Sequence, residues 1–180
     1  MLTVTIPKCE FWDEKNSMFV YYDECTLVLE HSLVSVSKWE SKWKKAFLKK
    51  TTKTYEETKD YIRCMTITKN VDPRVYDRIP NDVIDQINKY IEDPMTAVYF
   101  PKTEEDGTHG DVVTSEVIYW WMIINQIPVE FQKWHLNRLL ALIRVCNMKN
   151  SPPKKMSQKE IAARNAKRNA ERRKKYGTKG

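Results

Sequence analysis

The chain has 180 residues, of which 41% are hydrophobic, 31% are charged and 11% are aromatic. This composition fits one domain, or one domain with an appendage, and it argues against disorder over most of the length. The net charge is +7, and the low number of glycines, four, argues against a glycine-rich phosphate loop, a collagen-like repeat or a turn-dense all-β sandwich. The longest strongly apolar stretch, Val117–Ile124, is too short to span a bilayer. The first residues of the chain lack the basic region of a secretory signal, so we expect a soluble intracellular protein.

The first 31 residues predict a small antiparallel sheet. Apolar and polar residues alternate over residues 2–6, as in a half-buried strand. Phe11-Trp12 and Met18–Tyr22 flank a polar cluster at residues 13–17, an arrangement that is typical of a hairpin. A second alternating run, residues 25–29, predicts a further strand.

A helix rich in aromatic residues and lysine is predicted next. Ser37 and Glu40 have the spacing of a capping box, and Trp39, Trp43 and Phe47 then form one apolar stripe surrounded by lysines. Burial of the stripe in a core is the favoured interpretation. The alternative is that the aromatic rings stack on the bases of a single-stranded nucleic acid.

Three further helical segments are predicted before residue 100. Thr54 and Glu57 form a second capping box, which opens a helix with Tyr61, Ile62 and Met65 turned inward. Asp72-Pro73 reads as an N-cap followed by proline at the first helical position. Asn81 is predicted to cap an amphipathic helix that Asp93-Pro94 ends.

The segment 115–147 predicts a helical hairpin at the centre of the fold. Its first helix, capped by Thr114 or Ser115, is apolar nearly all round, and Pro128 is placed to start the second helix. We expect the hairpin to be buried by the other helices or partly exposed for a partner. His135 and Arg138, three residues apart, are expected to share a helix face as core or interface residues.

The excess of positive charge belongs to the end of the chain. Residues 151–180 contain eleven Lys or Arg and two Glu, so they carry +9 while the remainder carries −2. Pro152-Pro153 separates this segment from the body, and a capping box at Ser157 and Glu160 predicts a helix from about residue 158 to 175 when it is docked. Such a tail suits a polyanion or an acidic protein, and the alternative is a solvated tail that mainly confers solubility.

The sequence therefore predicts an α+β fold that is mostly α-helical. A globular body, residues 1–150, has its strands in 1–31 and its helices in 35–150, and a basic tail follows at 151–180. The four cysteines lack zinc-ligand spacing and are expected to be free buried thiols. His109, in the acidic loop 102–111, is not favoured as a metal ligand or general base. With no nucleophile, metal or dinucleotide motif in the chain, we expect no enzyme activity, no catalytic or metal-ligating residue and no cofactor.

Several strings resemble a family encoded in the tail modules of long-tailed, siphovirus-type bacteriophages. They are His31–Trp43, Asp60–Thr66, Gln132–Leu140, Pro152–Met156 and Arg164–Ala166. The resemblance implies a tail assembly chaperone, a non-enzymatic protein of the host cell cytoplasm that binds the tape measure protein while the tail tube polymerises. Members of that family are mostly helical, so the predicted N-terminal strands leave a head–tail connector or tail-completion role open.

Two classes of function remain: an adaptor that binds another phage protein, and a nucleic-acid-binding protein that uses the basic tail. The residues expected to contact a protein or polyanion partner are Trp39, Trp43, Trp134, His135, Arg138, Arg164, Arg168, Arg172 and Arg173. The two classes differ in salt dependence, because phosphate contacts weaken steeply with salt whereas apolar contacts persist.

Overall fold

Four short strands and six α-helices make up the part of the chain that the computed structural model describes, which is residues 1–14, 17–49, 51–100, 112–151 and 158–177. The strands are β1 (Leu2–Ile6), β2 (Cys9–Asp13), β3 (Met18–Tyr22) and β4 (Cys25–Leu29). The helices are α1 (Leu33–Trp43), α2 (Tyr55–Met65), α3 (Asn81–Glu92), α4 (Ser115–Ile124), α5 (Leu136–Asn150) and α6 (Gln158–Tyr176). Two 3-10 turns lie at Pro73–Asp77 and Val129–Lys133. The predicted α+β, mostly helical class is confirmed.

The four strands form one long antiparallel ribbon that is interrupted once. β1 pairs with β4 and β2 pairs with β3, so the predicted hairpin is correct, but there are two two-stranded sheets rather than one small sheet. The register runs on unchanged across the interruption, from Ile6 opposite Cys25 to Cys9 opposite Tyr22. Pro7 lies in the interruption, and proline has no amide proton to contribute to a ladder.

Arg78 joins the two strands of the ribbon at this interruption. Its guanidinium donates hydrogen bonds to the carbonyl oxygens of Pro7 at 3.1 Å and Asp23 at 2.9 Å. It also lies 5.0 Å from the ring centroid of Tyr22, a cation–π distance. The side chain from the turn after Pro73–Asp77 therefore supplies hydrogen bonds at the point where the strand ladders stop.

The core is built from the inner half of the ribbon and from five helices. Val4, Ile6, Leu27 and Leu29 are buried on β1 and β4. The helices add Leu33, Val36 and Trp39 from α1; Tyr61, Ile62 and Met65 from α2; Val83, Ile87 and Tyr90 from α3; Ile118 and Met122 from α4; and Leu136, Leu139 and Ile143 from α5. The inward face predicted for α2 is confirmed. The segment 115–147 contributes to this core but does not form it alone.

The start of α1 differs from the prediction. The helix begins at Leu33 and is capped by Ser32, whose side chain accepts a hydrogen bond from the Ser35 amide at 3.3 Å while the Ser35 hydroxyl oxygen accepts from the Ser32 amide at 3.0 Å. Ser37 lies inside the helix, so the predicted capping box there is wrong. With the cap at Ser32, Leu33 and Val36 lie on the helix, and both are buried in the core.

The end of α1 also differs, because the helix stops at Trp43. Lys44 adopts the left-handed conformation, with a φ of 55°, and its amide donates to the Glu40 carbonyl. Phe47 is therefore not on the helix. It is nevertheless buried, with its ring 5.2 Å from that of Trp39 in an edge-to-face arrangement.

The remaining caps are partly as predicted. The Thr54–Glu57 capping box is confirmed by both of its hydrogen bonds. Asp72 does cap the segment that begins at Pro73, but that segment is a 3-10 turn. Asn81 is the first residue of α3 rather than its cap, and the helix ends at Glu92 as expected.

The chain divides into two compact units, residues 1–147 and residues 148–180. α6 covers the stretch predicted as helical, and none of its side chains is buried. The proline spacer at 152–153, the Ser157 end of the third capping box and the loop with His109 lie outside the described residues.

The four cysteines are free, but they are not buried as expected. Cys9 is exposed, and Cys25, Cys64 and Cys146 are half-buried. Within the described ranges, no helix has both the length and the apolar character that crossing a membrane requires.

Candidate protein-interaction surface

The two sides of α4 have different environments. Ile118 and Met122 are buried, and α4 packs against α1. On the other side, Trp120 is 57% exposed, Ile123 is 74% exposed and Ile124 is 56% exposed. These three residues, at i, i+3 and i+4, share one helix face, which is here called the α4 outer face. The expectation that α4 is buried on most sides is therefore wrong, because no described part of the chain covers this face.

A carboxylate from α1 holds the beginning of α4. Glu40 accepts hydrogen bonds from the backbone amide of Phe47 through Oε1 and from that of Ser115 through Oε2, both at 2.7 Å. Thr114 is the N-cap residue as predicted, but its side chain makes no capping hydrogen bond. A buried negative charge at the positive end of the helix dipole replaces the local cap.

The end of α4 is tied to the segments that follow it. The Asn125 side-chain amide donates to the Trp121 carbonyl at 3.0 Å and to the Asn147 side-chain oxygen at 2.9 Å. The Ile127 amide donates to the Met122 carbonyl at 2.9 Å. The predicted tight turn is confirmed, although Pro128 precedes the 3-10 turn Val129–Lys133 and α5 begins only at Leu136. Both ends of α4 are therefore fixed by hydrogen bonds, so the α4 outer face is presented by an anchored helix.

A small aromatic and cationic stack lies beside the start of α5. The Trp134 ring stacks on Phe131, with centroids 4.0 Å apart and planes inclined by 14°. The Arg138 guanidinium carbon lies 4.3 Å from the Trp134 ring centroid. Arg138 is exposed and Trp134 is half-buried, so both present surface to solvent. Among the predicted partner-binding residues of the body, Trp134 and Arg138 are therefore accessible to a partner.

His135 points away from that stack. It precedes the first residue of α5, and its ring is buried, 5.0 Å from that of His31 and 4.9 Å from that of Tyr90. Its Nε2 lies 3.0 Å from the Tyr90 carbonyl oxygen. The expectation that His135 and Arg138 share a helix face is wrong because His135 is not part of the helix.

The two tryptophans of α1 belong to the packing of the body. Trp39 is 1% exposed and donates from Nε1 to the Glu57 carbonyl at 2.9 Å. Trp43 is half-buried and donates to the Asp60 carboxylate at 2.9 Å. Since Trp39 offers no accessible face, this geometry favours the interpretation of the stripe as core over that of a base-stacking platform.

Ion pairs with lysine surround these tryptophans. Lys45 pairs with Glu57 at 2.5 Å, and Lys42 pairs with Asp60. The hydrogen bond from Lys45 and those from Thr54 hold the pKa of Glu57 below its usual value. Lys42 and Lys45 are thus already paired with carboxylates of the body, so they are less available to bind phosphate groups.

A buried polar cluster that the sequence did not reveal joins the segment between β4 and α1 to α1 itself and to α2. His31 Nδ1 lies 2.5 Å from the Tyr61 hydroxyl, and the Ser35 hydroxyl is 3.4 Å from the same oxygen. Burial, with a smaller contribution from the charge of His135, lowers the pKa of His31 to about 3. Burial also raises the pKa of Tyr61 above its ordinary value. A neutral imidazole and a neutral phenol are therefore in hydrogen-bond contact within the core.

A second part of this cluster involves Glu30. The Tyr90 hydroxyl donates to Glu30 Oε1 at 2.7 Å, and the amino group of Met1 lies 3.0 Å from Oε2. Burial and this hydrogen bond raise the pKa of Tyr90. No group of three or more His, Cys, Asp or Glu in the described ranges is arranged to hold a metal ion.

The remaining predicted partner residues lie on α6. Arg164, Arg168, Arg172 and Arg173 are all exposed. Comparison of the chain with protein-family models, with curated proteins and with solved structures gives no match, so these surfaces are what the molecule offers for assigning a function.

Proposed function

We propose that the protein is a non-enzymatic tail assembly chaperone that acts in the cytoplasm of a phage-infected host cell. In this proposal it binds an amphipathic helical segment of the tape measure protein through the α4 outer face. The observation that carries the proposal is the exposure of Trp120, Ile123 and Ile124 on a helix whose other side is anchored in the core. Exposed apolar patches on an otherwise well-packed domain are typical of interaction sites.

The geometry of the α4 outer face suits a helical partner. Side chains at i, i+3 and i+4 form a ridge along the helix, and the ridges of one helix pack into the grooves of another. Full burial of side chains of this size contributes roughly 1.5–3 kcal/mol each before the costs of association are subtracted. A tape measure protein is a long, largely helical and apolar chain that needs shielding before the tube closes around it, so it offers the complementary surface.

Three of the five strings that resemble the phage family contribute a side chain to the interior of the body. His31 lies in the first of them, Tyr61 in the second and His135 in the third, and the three side chains form one buried cluster. Distant segments that carry the resemblance thus make a common packing unit. The α4 outer face lies between the second and third of these strings in sequence, and it is the surface proposed for binding.

The proposal is tested by capture of tape measure segments on the tagged full-length protein. The test variant carries Trp120→Ala and Ile123→Asp, and the control carries Tyr55→Ala and Tyr21→Ala, which remove apolar side chains that are also highly exposed. We expect at least a tenfold loss of capture for the test variant and less than a twofold change for the control, with both retaining the wild-type circular dichroism spectrum. Equal capture by the test variant, or no capture by the wild type, would contradict the proposal.

A further inference from the structure

Basic side chains dominate the charge of α6, and its two glutamates, Glu160 and Glu171, lie beside Arg164 in the helical projection. The helix contains eight Lys or Arg and two Glu within its 19 residues. Arg164, Arg168 and Arg172 follow each other at intervals of four, and Lys175 follows three residues later, so the four side chains lie along one face. This set, here called the arginine stripe, is exposed over its whole length.

The rest of α6 lacks the side chains that a helical protein partner would bury. Ala162, Ala166 and Ala170 run along a different face at the same spacing, and each has only a methyl group to offer. The two larger apolar residues, Ile161 and Tyr176, lie near opposite ends of the helix. A groove-binding helix needs large anchors at successive turns. The chemistry of α6 is therefore that of its charges.

The dimensions of the arginine stripe fit a run of phosphates. Along the axis, consecutive stripe arginines are about 6 Å apart and Lys175 lies about 4.5 Å beyond Arg172, so the whole stripe extends over about 16 Å. One strand of a DNA duplex presents a negative charge every 3.4 Å of its axis, so about five phosphates lie within that length. Guanidinium groups bind phosphate oxygens through two parallel hydrogen bonds, which favours arginine at such positions.

We propose that α6 binds the phosphate backbone of nucleic acid through the arginine stripe, without reading base sequence. This activity is separate from the binding proposed for the α4 outer face, and neither depends on the other. An acidic protein would satisfy the charge of α6 as well. Nucleic acid is favoured because it supplies a continuous run of phosphates over the length of the stripe, and because the helix has no large apolar side chains at successive turns for a protein surface.

The test compares two triple variants of the full-length chain that lose the same charge. The stripe variant is Arg164→Gln, Arg168→Gln and Arg172→Gln, and the matched control is Lys159→Gln, Lys167→Gln and Lys174→Gln, whose positions lie on other faces of the helix. Binding to two fluorescent 20-base-pair DNA duplexes of unrelated sequence is measured by anisotropy between about 50 and 200 mM salt, the range over which phosphate contacts weaken strongly. Far-UV circular dichroism checks that helix content is kept.

We expect the wild type to bind both duplexes equally, and the logarithm of its affinity should fall linearly with the logarithm of the salt concentration. The stripe variant should bind at least tenfold more weakly than the control. Each lost phosphate contact reduces the steepness of log affinity against log salt by about 0.9, so the loss of three contacts should reduce it by about 3. Equal weakening by the two variants would refute the stripe. If poly-glutamate at the same concentration of charges competes as well as DNA does, the partner of α6 is an acidic protein and the proposal is overturned. A wild type that does not bind DNA would also overturn it.

The outcome is separable from that of the tape measure experiment. The Trp120→Ala and Ile123→Asp variant keeps α6 unchanged and should bind DNA as the wild type does. The stripe variant keeps the α4 outer face. A DNA-binding failure with intact capture of the tape measure segment would therefore overturn only the inference about α6.

Discussion

The Glu40 carboxylate of α1 accepts a hydrogen bond from the backbone amide of Ser115, the first residue of α4, at 2.7 Å. Its other oxygen accepts from the Phe47 amide at the same distance. One buried side chain thus ends the turn after α1 and begins a helix that follows 75 positions later in the chain. Because this contact fixes the start of α4, it also determines where Trp120 and Ile123 emerge on the surface.

The first prediction concerns this contact. Replacement Glu40→Gln keeps the shape of the side chain but turns one acceptor oxygen into a donor, so one buried amide loses its partner. We expect the free energy of unfolding, measured by urea denaturation, to fall by about 1–3 kcal/mol. The control Glu92→Gln, at an exposed position on α3, should stay within about 0.5 kcal/mol of the wild type. An unchanged midpoint for Glu40→Gln would mean that the carboxylate does not support α4.

Caps made by nearby residues were predictable, whereas this one was not. The Thr54–Glu57 box is recognisable because both partners lie within one turn, and it is confirmed. The Ser37 box failed because Ser32 and Ser35 offered a competing cap that starts the helix earlier and buries Leu33. The cap that Glu40 provides has no local signal, since its two partners are separated in sequence and meet only in the folded chain.

The buried face of α4 could not be predicted from the sequence either. A helix that is apolar nearly all round has no periodicity to distinguish its buried side from its exposed side. The ribbon shows a similar limit. The β2–β3 hairpin is recognisable from its polar turn, but the pairing of β1 with β4 joins segments separated by the whole hairpin. The helix α6, in contrast, is predictable from its sequence, because its bounds agree with the predicted stretch 158–175 to within one residue.

The second prediction separates core from surface within 115–147. Leu139 is fully buried, so Leu139→Ala should lower the free energy of unfolding by about 2–5 kcal/mol. Ile123→Ala, on the α4 outer face, should change it by less than about 0.5 kcal/mol. Both are measured by denaturant unfolding. Similar losses for the two variants would show that Ile123 is covered in the folded protein, and would remove the basis for the α4 outer face.

The third prediction is that the chain can end at Asn150 without loss of the body. The described residues of the removed segment contain no buried side chain, so its deletion takes no apolar contact out of that core. The melting temperature of residues 1–150 should stay within a few degrees of the full-length value, at about 2–4 °C per kcal/mol for a protein of this size. A large drop would show that the basic segment contributes to the stability of the body.

The fourth prediction rests on the buried histidines. His31 faces Tyr61 and His135, and the neighbouring Tyr90 and Glu30 complete the cluster. Burial keeps the pKa of His31 near 3, and it also lowers the pKa of His135, with smaller opposing contributions from its hydrogen bond to Tyr90 and from Glu30. Both rings are therefore neutral in the folded protein under conditions where an unfolded chain would protonate them.

The sign of the pH dependence follows from this difference. An unfolded histidine takes up a proton as the pH falls below about 6.5, whereas folded His31 does so only near pH 3. The unfolded state thus binds more protons between these values, and the free energy of unfolding should fall by about 1.4 kcal/mol per pH unit for this group. The stabilisation is complete above pH 6.5 and is lost progressively toward pH 3.

Urea denaturation at pH 7.5 and pH 5.5 measures the effect. His31→Gln should lose about 1.4 kcal/mol less than the wild type over this interval, because it removes one group that protonates on unfolding. Tyr61→Phe serves as the control, since it deletes the hydroxyl that contacts His31 but keeps the buried imidazole, and it should retain the pH dependence. If His31→Gln is as sensitive to acid as the wild type, then His31 is not the group that couples folding to pH.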